Sequence, residues 1–180
     1  MRRDMIGLAK GKVLEVAAGT GRNLQYYNPD QVESVVMTEK SRLMLEKAVI
    51  KFRSLRDLYK SVPVQFKLID GHSFNDFESN SIDTVVQTFG LCSLSDPVQS
   101  LNEASRVCKP EGRILLIEHG RSYYGWLNKI LDKTSTGHAQ KWGCWWNRDI
   151  IQIVKEANLE IERMDRNHFG TTCRLICRPK

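Results

Sequence analysis

Short apolar runs alternate with amphipathic segments along the first two thirds of this 180-residue chain. Runs rich in β-branched residues predict strands, and apolar residues spaced three and four apart between them predict helices. Because a crossover joins neighbouring parallel strands, this alternation predicts an α/β fold whose parallel sheet is covered on both faces. The predicted strands are residues 13–16, 34–38, 64–69, 82–88 and 113–118.

Three helices are predicted between these strands. The first follows a glycine-containing turn and ends near residues 28–29, and the second spans residues 41–59. The third begins after Asp96, which caps it, has a proline in its first turn, and continues to about Cys108. The Lys-Pro-Glu-Gly sequence at residues 109–112 is expected to end this helix before the fifth strand.

The C-terminal part of the chain has a different pattern. Asn147 is expected to cap a helix that continues to Ala157, and two strands, residues 159–167 and 171–178, follow it. Because only a short turn joins these two strands, they are expected to pair antiparallel. The sequence therefore predicts a single domain over residues 1–180. Its α/β fold is a Rossmann-like open sheet of about seven strands, mostly parallel with a C-terminal antiparallel hairpin.

Composition and charge exclude several classes of protein. Hydrophobic residues make up 41% of the chain and charged residues 27%, which excludes a disordered or fibrous chain. No apolar run has the length of a membrane span, and the N-terminal residues do not resemble a presequence. The net charge of +6 is compatible with a nucleic acid or an anionic membrane as partner without requiring either.

The five cysteines and four histidines do not predict a metal site. An odd cysteine count without a Cys-x-x-Cys pair argues against a disulfide framework and a zinc site, and it favours a reducing compartment. His72, His138 and His168 have no mutual spacing that is typical of metal ligands. We therefore expect no metal, and we expect Cys144 to be a buried, inert thiol.

The turn after the first strand indicates the kind of ligand. Gly19 and Gly21 allow a tight turn and let a ligand touch the backbone. A dinucleotide-binding turn would have a third glycine where Leu24 stands, and Glu15 would face its pyrophosphate. Glu15 instead favours a cation, and Glu39, 20 residues after Gly19, has the spacing of an acid that binds ribose hydroxyls. S-adenosylmethionine has a ribose, a positive charge and no phosphate, so it fits this pattern.

These residues resemble the motifs of class I S-adenosylmethionine-dependent methyltransferases, and the resemblance covers nearly the whole chain. Residues 15–21 resemble the first motif of that family, with Ala17 where a glycine is usual. Residues 39–45 resemble the second motif. The resemblance implies that Glu39 holds the ribose and that Lys40 borders the adenine.

Two further segments resemble parts of the same family. Asp70 resembles the acid that accepts a hydrogen bond from the adenine amino group, and Gly71 would supply the backbone amide beside the ring. Residues 81–91 resemble the fourth strand, so Thr88 and Phe89 are expected either to line the methionine portion or to be ordinary strand packing. The cofactor-binding residues that the resemblance implies are Glu15, Ala17, Gly19, Gly21, Glu39, Lys40, Asp70, Gly71, Thr88 and Phe89.

Within this class the chain is similar to quinone-biosynthesis methyltransferases and, more closely, to two eukaryotic groups. These are the membrane-associated alkyl thiol methyltransferases and the fungal mitochondrial inner-membrane methyltransferase-like proteins found as suppressors of an oxidase-assembly defect. Residues 90–93, 118–119 and 142–149 carry this similarity. Such relatives have N-terminal helices that cover the cofactor, and often an anchor, and we expect both to be absent from this chain.

The sequence indicates fewer residues for the methyl acceptor than for the cofactor. His119 follows the fifth strand, where it is expected to be either a base for the nucleophile or a structural histidine. Trp142, Trp145 and Trp146 either wall a pocket for an apolar or planar acceptor or pack against the sheet. The weak periodicity of residues 123–146 makes this segment the expected substrate cover.

The resulting hypothesis is methyl transfer from S-adenosylmethionine to an apolar small molecule, either a thiol or a quinone-like acceptor. Two alternatives stay open. One is a methyltransferase-fold subunit of a large mitochondrial complex with little or no catalysis, and the other is an RNA methyltransferase, which the positive charge supports weakly. We expect no DNA partner and no transmembrane segment in this chain. The resemblance implies a mitochondrial location, and without it the expectation is a cytoplasmic one.

Overall fold

The computed structural model describes residues 1–180 and contains seven strands, five α-helices and one 3-10 helix. The strands are β1 Gly11–Val16, β2 Val32–Glu39, β3 Val64–Leu68, β4 Ile82–Thr88, β5 Cys108–His119, β6 Glu160–Asn167 and β7 Thr172–Arg178. The helices are α1 Arg2–Ile6, α2 Arg42–Ser54, α3 Pro97–Val107, α4 Gly125–Trp142 and α5 Ile150–Glu156, and the 3-10 helix is Arg56–Tyr59.

The strands form one sheet in the order β3-β2-β1-β4-β5-β7-β6. The pairs among β1 to β5 are all parallel, and β7 pairs antiparallel with both β5 and β6. The predicted open sheet, mostly parallel with a C-terminal antiparallel hairpin, is therefore confirmed. The strand order reverses between β1 and β4, and in open α/β sheets a ligand-binding crevice forms beside such a point.

Apolar side chains pack on both faces of this sheet. A cluster of 21 buried residues on one face includes Leu14, Ile114 and Leu116, and a cluster of 15 on the other includes Val13 and Leu115. Neighbouring residues of a strand point to opposite faces. A central strand such as β5 therefore needs a continuous apolar run, which is the pattern that the sequence shows there.

The helix predicted after the glycine turn is wrong. Between β1 and β2 the chain forms consecutive turns, in which the N–H groups of Gly21, Leu24 and Tyr26 donate to carbonyls three residues earlier. Gly21 has a left-handed φ of 71°, which a right-handed helix excludes.

Two further predicted boundaries shift. The second predicted helix does not continue to residue 59, because α2 ends at Ser54 and the 3-10 helix follows it. Residues 109–112 do not separate a helix from a strand. They belong to β5, which begins at Cys108 directly after α3.

The sequence does not predict two of the helices. One is the short α1, and the other is α4, which lies within the weakly periodic segment 123–146. Only Leu131 and Ser135 are buried along α4, whereas Trp126 and Ile130 are exposed, so this helix has no broad apolar stripe to detect. None of the helices combines the length and the apolar character that crossing a membrane requires.

The N-cap of α5 is Asp149 rather than the predicted Asn147. The Asp149 carboxylate accepts a hydrogen bond of 3.0 Å from the backbone N–H of Gln152. An N-cap side chain pairs one of the amide groups that lack a partner at the start of a helix. The side chain of Asn147 instead donates to the carboxylate of Asp132.

Replacing Asp149 with alanine is expected to lower the free energy of unfolding by about 1 kcal/mol, because an amide at the start of α5 loses its acceptor. Asp149→Asn is the matched control, since an asparagine oxygen accepts the same bond. Urea unfolding followed by tryptophan fluorescence measures both variants. Equal stability of the alanine and asparagine variants would contradict the capping role.

Candidate functional site

A cavity of about 510 Å³ lies at the carboxyl edge of the sheet, beside the point where the strand order reverses. Its wall includes the turn after β1, the end of β2 with the start of α2, and the end of β4. Parallel strands end at the same edge of a sheet, so these distant segments of the chain meet there. Of the predicted cofactor-binding residues, those that line the cavity are Ala17, Gly19, Glu39, Lys40, Gly71, Thr88 and Phe89.

The turn after β1 exposes backbone to this cavity. Ala17 and Gly19 line it and have left-handed φ angles of 52° and 59°. Gly21 does not line the cavity. A Cβ at Gly21 would lie 2.9 Å from the side chain of Leu24 and 3.1 Å from the Cβ of Ala48, so this glycine permits close packing against α2.

Glu39 is held rigidly at the end of β2. One carboxylate oxygen accepts the backbone N–H of Gly19 and the other accepts that of Ser41, both at 2.9 Å. The residue is only 7% exposed, yet it lines the cavity. Each carboxylate oxygen keeps a lone pair for a further donor. Glu39 therefore presents a fixed acceptor for a ligand with two neighbouring hydroxyl groups.

Glu15 lies outside the cavity wall, in a buried hydrogen-bond network. Its carboxylate accepts from the hydroxyl of Tyr27 at 2.6 Å and from the side-chain amide of Asn23 at 2.9 Å. Burial raises the pKa of the Glu15 carboxyl to about 7, although these two hydrogen bonds favour its ionised form. The structure thus places Glu15 beneath the residues that line the cavity rather than among them.

Arg2, on α1, extends this network to the cavity. Its guanidinium donates to the side-chain oxygens of Asn23 and Thr88, at 2.6 and 2.7 Å, and lies 5.2 Å from the ring centre of Phe89. The sequence interpretation missed Arg2, Asn23 and Tyr27. The only available signal was that Asn23 and Tyr27 closely follow Glu15, and a buried carboxylate needs donors.

Asp70 and Gly71 have different positions. Gly71 lines the cavity, whereas the Asp70 carboxylate lies outside its wall and pairs with Nδ1 of His72 at 2.6 Å. The Nε2 atom of His72 accepts the backbone N–H of Asp96 at 3.0 Å, so the proton of the neutral ring is on Nδ1. This histidine therefore connects the loop after β3 with the start of α3.

His119 lies behind the wall of the first cavity, at the end of β5. Its ring centre is 4.3 Å from that of Phe89, which lines the first cavity. Phe89 has a left-handed φ of 57°, which is uncommon for a residue other than glycine. His119 itself lines a second cavity of about 450 Å³. Phe89 and His119 therefore separate the two cavities.

The second cavity combines apolar and imidazole side chains. Leu127, Leu131, His138 and Trp146, all from the predicted substrate cover, contribute to its wall together with Phe169. Trp146 stacks on His138 with ring centres 3.8 Å apart. Of the other two tryptophans predicted for the acceptor pocket, Trp142 lines the first cavity and Trp145 is 40% exposed.

The seven-stranded sheet, its strand order and a cavity at its carboxyl edge together define the class I S-adenosylmethionine-dependent methyltransferase fold. Solved structures agree with this class. The chain superimposes on the [4+2]-cyclase SpnF with a TM-score of 0.76, at 17% identity over 98% of this chain and 79% of that one. A methyltransferase from Bacillus halodurans gives a TM-score of 0.73 at 20% identity, over 91% of this chain and 69% of that one. At such identities the likeness shows the fold alone.

Sequence comparison then gives the family. The Methyltransferase domain family matches residues 14–116, and the chain belongs to this family. It is 36% identical to "Methyltransferase OMS1, mitochondrial" of Saccharomyces cerevisiae, over 99% of the chain and 40% of that protein. It is 33% identical to human "Thiol S-methyltransferase TMT1B" over 88% of the chain, and 31% identical to the Idiomarina loihiensis "Ubiquinone/menaquinone biosynthesis C-methyltransferase UbiE" over 78%. The chain spans 64% and 55% of the lengths of these two relatives.

The pKa of Glu15 makes the stability of this protein depend on pH. In the folded state the Glu15 carboxyl keeps its proton between pH 4.5, its ordinary pKa, and about pH 7. In the unfolded chain the same group has released this proton over that interval. This contribution to stability is complete below pH 4.5 and is lost as the pH rises to 7. Over this pH interval, we expect the free energy of unfolding of Glu15→Gln to rise by about 2–3 kcal/mol relative to that of the unmodified chain.

Urea unfolding at a series of pH values measures this difference. Tyr27→Phe provides a second variant, which keeps the carboxyl group but removes a donor to its ionised form. That loss should move the midpoint of the pH dependence upward. Parallel pH profiles for Glu15→Gln and the unmodified chain would show that the Glu15 carboxyl titrates with an ordinary pKa.

Proposed function

We propose that this protein transfers a methyl group from S-adenosylmethionine to an apolar small molecule, either a thiol or a quinone-like compound. The observation that carries the proposal is the position of Glu39. Its carboxylate is fixed by two backbone amides at the wall of a cavity of about 510 Å³, and one of these amides is that of Gly19 in the glycine turn. Such an acceptor suits the two neighbouring hydroxyl groups of a nucleoside ribose.

The other cavity residues fit the remaining parts of S-adenosylmethionine. The side chains of Met44 and Ile69 offer apolar surface for the adenine, with Lys40 and Gly71 beside them. Thr88 and Phe89 would meet the methionine portion, and their neighbour Arg2 would pair with its carboxylate. Glu15 would act indirectly, by holding Asn23 and through it Arg2.

Methyl transfer needs alignment more than proton chemistry. The nucleophile attacks the methyl carbon in line with the sulfur, the carbon–sulfur bond breaks, and its electron pair neutralises the sulfonium. A thiol acceptor also releases its proton, and His119 is the proposed base because it faces the second cavity. The cavities supply orientation and exclude water, which accounts for a large part of the barrier reduction in such reactions.

The second cavity is the proposed acceptor site. Its aromatic and aliphatic wall suits an apolar molecule, and it lies across Phe89 and His119 from the proposed methyl donor. Two relatives are a thiol S-methyltransferase and a ubiquinone/menaquinone biosynthesis C-methyltransferase, which supports the same two classes of acceptor here. The mitochondrial yeast relative likewise supports a mitochondrial location. Membership of a mitochondrial complex and RNA methylation stay predictions from the sequence.

Calorimetric titration with S-adenosylmethionine and S-adenosylhomocysteine tests the donor site. We expect both to bind, and we expect Glu39→Ala to weaken binding by about 10–100-fold, because hydrogen bonds to a charged group are lost. Glu46→Ala removes an exposed acid of α2 and is the matched control. Unchanged affinity in a folded Glu39→Ala variant would show that the ribose assignment is wrong.

Trp146→Ala tests the acceptor site separately. The variant is expected to raise KM for an alkyl thiol or quinone acceptor about tenfold through lost apolar contact, and to leave the affinity for S-adenosylmethionine unchanged. Formation of S-adenosylhomocysteine measures the reaction. Trp126→Ala is the control, because Trp126 is 61% exposed on α4. Equal KM values for the two variants would place the acceptor elsewhere.

A further inference from the structure

Two thiols and an imidazole meet between the two cavities. The ligand-capable atoms of Cys92, His119 and Cys144 all lie within 4.8 Å of one another. The Sγ atom of Cys144 is 3.9 Å from Nδ1 of His119. Both cysteines are buried, with exposures of 1% and 8%. The chain separates these residues widely, so their spacing along the sequence gives no sign of the cluster.

The fold holds all three side chains in place. Cys92 follows β4, His119 is the last residue of β5, and Cys144 follows α4. The backbone N–H of Trp145 donates to the carbonyl oxygen of Cys92 at 2.8 Å, which joins the end of α4 to the loop after β4. The ring of His119 rests against Phe89. The cluster is therefore part of packed structure rather than a chance meeting of mobile side chains.

We propose that Cys92, His119 and Cys144 bind a zinc ion or a similar soft divalent metal ion. Two thiolates and one imidazole are ligands that zinc prefers, and three protein ligands leave a fourth tetrahedral position for water. In a tetrahedral zinc site, ligand atoms lie about 3.5–3.8 Å apart, given the usual zinc–sulfur and zinc–nitrogen bond lengths. The Cys144–His119 separation of 3.9 Å is close to this value, and the other pairs need to contract by at most about 1 Å.

A buried carboxyl group, that of Glu118, belongs to the surroundings of the cluster. Glu118, next to His119, is completely buried, and one of its oxygens accepts the backbone N–H of Gly90 at 3.0 Å. Its other oxygen has no hydrogen-bond partner. The guanidinium of Arg148 donates hydrogen bonds to the carbonyl oxygens of Leu91 and Leu94 in the loop that contains Cys92.

The charges also balance when the ion is present. A divalent ion with two thiolates is neutral, so it adds no net charge to a region that already holds Glu118 and Arg148. It would also tie the end of α4 to β4 and β5, between the proposed donor and acceptor cavities. The inference concerns metal binding and does not depend on the proposed methyl transfer, but His119 would not act as a base while its imidazole binds the ion.

Metal binding by the reduced, metal-free full chain tests the proposal without an activity assay. We expect one zinc ion per chain by elemental analysis. We also expect cobalt to give sulfur-to-metal charge-transfer bands and the visible spectrum of a tetrahedral site. Cys92→Ser, Cys144→Ser and His119→Gln should each lower zinc affinity by about 100-fold or more in competition with a chromophoric chelator. Cys108→Ser and Cys177→Ser, at buried thiols outside the cluster, should leave it unchanged.

A measurement on the unmodified chain keeps the test valid where a variant does not fold. Zinc should protect Cys92 and Cys144, but not Cys108, from alkylation, as read by mass spectrometry of peptides. Absence of stoichiometric binding by the folded, reduced chain would overturn the proposal. Binding that the three cluster variants leave intact would overturn it too, as would a Cys92–Cys144 disulfide that persists in reductant. Zinc binding by a chain that does not bind S-adenosylmethionine would refute the proposed function alone.

Discussion

Parallel pairing of β1 with β2 on one side and β4 on the other is the constraint on which the rest of this molecule depends. The chain must leave β1 in one direction and return to its opposite edge later, so no connection covers the carboxyl ends of these strands. The crevice that results brings together Gly19, Glu39 and Thr88, which lie far apart in the sequence. Apart from Arg2, the residues of the proposed donor site lie at or after the carboxyl end of a strand in the parallel part of the sheet.

Two carboxylates support the crevice in different ways. Glu39 accepts two backbone amides and still faces the cavity, so it both shapes the glycine turn and offers an acceptor to a ligand. Glu15 is buried, and it acts through Tyr27, Asn23 and Arg2. Burial raises its pKa toward neutrality, which makes this network a sensitive part of the fold. The short helix α1 takes part in the site because Arg2 closes the network at Thr88.

In a protein with the class I methyltransferase fold, the position of the methyl-donor site follows from the fold, whereas the position of the acceptor site does not. The [4+2]-cyclase SpnF shares this fold with a TM-score of 0.76, so the fold by itself does not determine the reaction. Here the second cavity, His119 and the helix α4 define where an acceptor would bind. The Cys92–His119–Cys144 cluster lies between the two sites, where a bound ion would affect both.

The sequence by itself determined the parallel strands, the C-terminal hairpin, the glycine turn and Glu39. These features depend on the spacing of apolar residues, on turn residues and on short distances along the chain, all of which are local properties of the sequence. Tertiary structure alone decided that the turn leads to no helix, that α4 forms without an apolar stripe, and that Glu15 is enclosed while Arg2 reaches the cavity. It also assembled the cluster of two thiols and one imidazole from three separate strand and helix ends. The physical reason is that these features depend on contacts between distant segments, which exist only after the sheet has brought the carboxyl ends of its strands to one edge.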